Sequence, residues 1–154
     1  MQKRSGLSLT AVLLAGALGF TGVQADDDPL EAAIEYRQAS FQVMKYNIGP
    51  MADMLKGDIE YDQAAMEKNA EVLAMMSTII DGLFPEGSDA LAGDTAALAD
   101  IWAEPEAFEE RMAEFQQATQ ALVSAAATED RAQIAAALEK TGSSCRACHD
   151  DFRD

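Results

Sequence analysis

The chain has 154 residues, with 27 acidic groups against 11 basic ones and a formal net charge of −16. That balance excludes electrostatic binding to nucleic acid or anionic lipid, and it favours solubility and basic partners. One His and two Cys are too few for a four-ligand zinc site.

The first segment reads as an export signal. Lys3 and Arg4 precede an apolar run from Leu7 to Phe20, and Val23-Gln24-Ala25 gives small residues at a cleavage site. We expect a signal peptide over residues 1–25 and one domain over residues 26–154. The run is short and rich in Gly, and Asp26-Asp27-Asp28 comes directly after it, so it is not expected to anchor the chain in a membrane. No later segment is apolar enough to span one. Without Lys3 and Arg4, nine basic groups face 27 acidic ones, a mature charge of −18. A mature length of about 129 residues suits one core.

The mature chain is rich in Ala, Glu, Met, Leu and Gln, a composition that favours helix. The first helix is expected from Asp28-Pro29, an N-cap followed by Pro at the first helical position. Phe41, Met44, Ile48, Met51 and Leu55 form a stripe with steps of three and four. Pro50 is expected to kink or locally break this helix, which should end at Lys56-Gly57. A second helix starts near Asp62, with Ala65, Met66, Ala70, Val72, Leu73, Met76, Ile79 and Ile80 facing inward, and stops at Gly82 to Pro85. The stretch from Phe84 to Glu104 holds Pro85, Gly87, Ser88, Gly93 and Asp94 and reads as a long loop, of a length usually tied to function.

A third helix is expected from about Pro105 to Ala127, with Phe108, Met112, Phe115, Ala118, Leu122 and Val123 inward. Thr128-Glu129-Asp130 reads as a turn and cap. A fourth helix, from about Glu129 to the C-terminus, carries Ile134, Ala137 and Leu138. Helices of similar length with mostly short connections predict an all-α fold, an antiparallel up-down-up-down four-helix bundle.

The last helix carries Cys145-Arg146-Ala147-Cys148-His149, the Cys-x-x-Cys-His pattern of covalent haem c attachment. On a helix both thiols and the imidazole project from one side, so two thioethers fix the porphyrin and His149 ligates the iron. A thioredoxin-like pair would need a βαβ context that is not visible, and a disulfide across so short a loop would gain little. The chain holds no second His for the other face of the iron.

With the motif near the C-terminus, the chain resembles the class II c-type cytochromes and, within them, cytochrome c′. The resemblance is carried by Tyr36-Arg37-Gln38, Met44, Lys56-Gly57, Tyr61-Asp62, Ala97 to Trp102, Phe108, Phe115, and Cys145 to Arg153. It implies a periplasmic four-helix bundle with one covalent haem c, often a homodimer. It matches Arg37 and Gln38 to positions that meet the haem propionates, Thr95 to the haem edge, Met44 to haem packing and Arg153 to a basic residue beside the axial imidazole.

Low-spin members of the class place a Met on helix one as sixth ligand. Anchored on Arg37-Gln38, that position is Phe41, which cannot bind iron. The resemblance therefore implies five-coordinate, high-spin iron with Phe41 over the distal face. Such a protein would bind small neutral gases, NO and CO, or exchange electrons with redox partner proteins. The alternative is a low-spin electron carrier with Met44 on the iron. A peroxidase-like enzyme would need a distal acid–base residue, usually His, and the only His is on the proximal side. A haem-free interaction module would leave the Cys-x-x-Cys-His motif without a role.

Overall fold

The computed structural model describes residues 28–154, so the expected signal peptide over residues 1–25 lies outside the described residues. The helices in chain order are α1 (Pro29–Lys56), α2 (Gln63–Asp81), α3 (Asp100–Ala103), α4 (Pro105–Ala126) and α5 (Arg131–Phe152). Four of them are the long helices expected from the sequence. The one-turn α3 interrupts the segment read as loop. Four residues are too few to show a period, which is why the pattern does not announce it.

Local chemistry sets most boundaries. Asp28 accepts a hydrogen bond from the Leu30 amide at 2.9 Å, ahead of Pro29 at the first helical position. Gly57 closes α1 in the left-handed conformation, φ 84°, where a Cβ would be strained. Asp62 caps α2 through the Ala65 amide at 3.1 Å. Asp130 caps α5 through the amides of Ala132 and Gln133, so the last helix begins two residues later than Glu129, which itself has φ 57°.

Two expectations are corrected. Of the kink or local break expected at Pro50, the break does not occur: α1 runs helical from Pro29 to Lys56. The carbonyl that loses its partner belongs to Tyr46, a solvent-facing residue, so water can satisfy it. Ile79 is not in the core but on the outer side of α2.

The bundle closes as a ring in which α1 meets α2, α2 meets α4, α4 meets α5, and α5 returns lightly to α1. Its core is rich in methionine and aliphatic side chains. Met51, Met66, Leu122 and Ile134 are fully buried, each burial contributing about 1.5–3 kcal/mol. The buried Thr119 hydroxyl lies 3.1 Å from that of Ser77 and 2.9 Å from the Gln116 carbonyl, so this polar pair is not left unbonded. Among the described residues no β-strand forms, and no helix is long and apolar enough to cross a membrane.

Candidate haem site

The light seam between α1 and α5 opens into a cavity of about 640 Å³. From α5 come Cys145, Cys148 and His149, all partly buried and all facing it. Their spacing on one continuous helix puts them on one wall. The two cysteines form no disulfide with each other. Burial pushes the Cys145 thiol up, and it pushes Cys148 up to about 11, with Cys145 and Asp151 adding to the effect and Arg111 opposing it. The His149 pKa falls, chiefly through burial and then through the Arg153 charge, which favours the neutral imidazole that binds metals.

The facing wall is α1, which presents Arg37, Gln38, Phe41 and Met44 to the same cavity. The Phe41 ring lies edge to face with the His149 imidazole, with centroids 6.3 Å apart and planes at 73°. Met44 is buried one turn further along. Gln42 and Lys45 also border the cavity, on its exposed rim. The floor is aromatic: Phe108 packs on Phe84 at 4.9 Å and on Phe152 at 5.4 Å.

Arg37 is the most unusual side chain in the site. It is 2 % exposed, and among the described residues it has no carboxylate partner. Its four terminal N–H groups go to neutral acceptors: the Leu83 carbonyl at 3.2 Å, the Ser88 hydroxyl and carbonyl at 2.8 Å each, and the Thr95 hydroxyl at 3.0 Å. Its Cζ also sits 4.6 Å from the centre of the Phe84 ring. Burial without a counter-charge lowers its pKa. A buried cation normally has an anion beside it. Gln38 donates to the Asp94 carbonyl at 2.7 Å, and Thr95 with its neighbours Ala96 and Ala97 lines the cavity edge.

All nine residues singled out in the sequence border this one cavity: Arg37, Gln38, Phe41, Met44, Thr95, Cys145, Cys148, His149 and Arg153. The set fits a haem in kind: two thiols and a neutral imidazole on one wall, apolar and aromatic surfaces around them, and a buried cation suited to a carboxylate. Three residues escaped the sequence reading. Arg111, three residues after Phe108 on α4, reaches Asp151 at 2.8 Å beside the motif. Ser88 is fully buried as an Arg37 acceptor. Phe152 reaches the floor from the end of α5. The helical spacing from Phe108 is a signal for Arg111, and Phe152 lies inside the Cys145 to Arg153 stretch that carries the resemblance; nothing local marks Ser88.

The family profile described as Cytochrome C' matches residues 32–153. Cytochrome c' of Halomonas halodenitrificans is 40% identical over 131 residues, covering 80% of this chain and 96% of that protein. The solved cytochrome c prime of Shewanella frigidimarina superposes with a TM-score of 0.75 at 42% identity, over 80% of this chain and 94% of that one. A nitric oxide complex of a cytochrome c prime variant from Alcaligenes xylosoxidans superposes with a TM-score of 0.75 at 32% identity, covering 81% of this chain and 95% of that one. The chain belongs to the cytochrome c′ family, a family of four-helix-bundle proteins carrying one covalent haem c.

Proposed function

We propose that this c-type haem protein works in the periplasm with five-coordinate, high-spin iron, binding small neutral gases, NO first among them, and exchanging electrons. The observation that carries the reading is the Phe41 ring opposite His149, where a sixth protein ligand would have to stand. A relative with the same fold is described in its nitric oxide complex, which supports the gas. The family is one of electron carriers and gas binders, not classical enzymes.

When bound, haem would supply one-electron redox chemistry and a metal centre for a small ligand. The residues of the chain do the rest. Cys145 and Cys148 would hold the porphyrin edge as thioethers, and His149 would bind the iron through its neutral imidazole. We assign Gln38, exposed at the cavity rim, and the charge of Arg37 behind it to the side of the propionates; the four terminal N–H groups of Arg37 are already bonded within the chain, so it would act there by charge. Thr95 would border the haem edge, and Arg153 stands near His149, where its charge adds to burial in lowering the imidazole pKa. Phe41 presents an apolar ring opposite His149 and would offer no hydrogen bond to a polar ligand such as dioxygen. Neutral NO and CO lose less from that absence.

The electron-transfer partner is expected to be basic, given the mature charge of −18. Tyr36, Val43 and Tyr46 on α1, with Met75 and Ile79 on α2, leave apolar side chains exposed on adjoining helices. This is the face we assign to a homodimer. Export rests on Lys3, Arg4 and the apolar run after them.

The deciding measurement is the ferric and ferrous optical and EPR spectrum, with and without NO and CO. High-spin ferric iron and ready NO binding are expected. A low-spin ferric signal with a methionine–iron charge-transfer band would replace this reading by one with Met44 on the iron, since Met44 borders the same cavity.

A further inference from the structure

We propose that residues 83–98 form a clasp joining α1 to the backbone just beyond His149, and that Arg37 is the positioning residue that holds it. The inference rests on the cavity being the haem site. It gives Arg37 a second role, distinct from meeting a propionate.

The connection can be traced bond by bond. Arg37, on α1, grips the segment at three points: Leu83 where it leaves α2, Ser88 in its middle and Thr95 near its end. The grip is buried, with Arg37 2 % exposed and Ser88 0 %. Gln38 adds a fourth point through the Asp94 carbonyl. The Thr95 hydroxyl that accepts from Arg37 also accepts from the Ala97 amide at 3.2 Å. Ala97 and Arg153 then form an isolated antiparallel bridge. Its bonds run from the Leu98 amide to the Phe152 carbonyl and from the Asp154 amide to the Ala96 carbonyl, both at 3.0 Å. Finally the Arg153 amide donates to the carbonyl of His149 itself at 3.2 Å.

This route matters because the direct route is weak. α1 and α5 make few direct contacts with each other beside the cavity; a haem seated there would lie between them, and the clasp is the link that the chain itself makes between the two walls. A long surface segment without regular structure would ordinarily be among the first parts to open. Here a planar guanidinium bonds both ends and the middle at once, which a lysine ammonium, a single point donor, cannot reproduce. Meeting a propionate calls on the charge of Arg37; holding the clasp calls on the geometry of its fork. The two roles are therefore separable.

The test uses the haem-loaded protein and two variants. Arg37→Lys keeps the charge and loses the fork. Thr95→Val keeps Arg37 intact and removes one link. Hydrogen exchange is read at the amides of Leu98 and Asp154, and the ferrous iron–histidine stretching band is read by resonance Raman. We expect exchange at both amides to rise roughly tenfold or more in Arg37→Lys and less in Thr95→Val, a tenfold opening being about 1.4 kcal/mol. The iron–histidine band should shift or broaden in step. Unchanged exchange in Arg37→Lys overturns the clasp. Faster exchange with an unmoved iron–histidine band overturns its link to His149. Loss of the covalent haem reading itself would show differently, as a wild-type protein with no Soret band after acid–acetone extraction.

Discussion

The Phe41 ring and the His149 imidazole face each other across the cavity at 6.3 Å, at 73° to one another. They belong to different helices, 108 positions apart in the chain, and among the described residues no other ring pair joins α1 to α5. The Phe41 side of the pair is partly exposed, 38 %, so it covers the site without being locked into the core. A ligand entering from this side must displace it. If that displacement costs about 1.4–2.8 kcal/mol, Phe41→Ala will speed CO association roughly 10–100-fold, one factor of ten per 1.36 kcal/mol. Flash photolysis measures this directly; an unchanged rate would show that Phe41 is no barrier.

Met44 separates the two coordination states. It is buried beside the cavity, and Leu fills nearly the same volume, so Met44→Leu should cost under about 1.5 kcal/mol. With five-coordinate iron the visible spectrum stays as it was. A change from low-spin to high-spin on substitution would mean that Met44 had been the ligand.

The cap of α5 predicts a pH dependence. The Asp130 carboxyl is held below the usual range, first by the Gln133 side chain and then by the amides of Gln133 and Ala132. A carboxylate whose folded pKa is depressed contributes stability above its unfolded pKa, about 3.9, and that contribution is lost as pH falls through the lower folded value. Asp130→Ala should therefore lower the melting temperature at pH 7, and the gap from the wild type should narrow below about pH 4. Melts at pH 7 and at about pH 3 test the sign. A gap that widens in acid contradicts it.

Leu122 probes the bundle away from the haem. It is fully buried in the core to which α1, α2, α4 and α5 all contribute. Leu122→Ala should cost about 2–5 kcal/mol in guanidinium unfolding of the haem-loaded protein. Its Soret position should hold, because Leu122 does not border the cavity.

The α1–α2 face predicts self-association. Val43 is 42 % exposed between Tyr36 and Tyr46. Val43→Glu adds a charge to a chain that is already strongly acidic, and in an isologous interface it would appear on both copies. Sedimentation should show a dimer for the wild type at micromolar concentration and a monomer for the variant. A monomeric wild type removes the proposal.

The sequence by itself determined the four long helices, their order and the Cys-x-x-Cys-His chemistry they carry. Helical period, Asp28-Pro29, Gly57, Asp62 and Asp130 are local signals, and the Cys-x-x-Cys-His spacing is a local pattern on a single helix. The family resemblance then assigned Arg37, Gln38, Phe41, Met44 and Thr95 to the same place, and all of them border the cavity. Where backbone strain met solvent, the local rule overreached: Pro50 sits inside an unbroken helix because the carbonyl it deprives lies on the outside.

Only the tertiary structure decided what Arg37 touches. Its partners stand 46, 51 and 58 positions away in a segment with no period of its own, and the bridge between Ala97 and Arg153 joins two stretches that have no pattern in common. Such bonds are fixed by where three helices leave one another, not by any neighbour in the chain. The motif at Cys145 to His149 says that a haem is held; the fold, by setting α1 across the cavity from α5, decides that Phe41 faces His149.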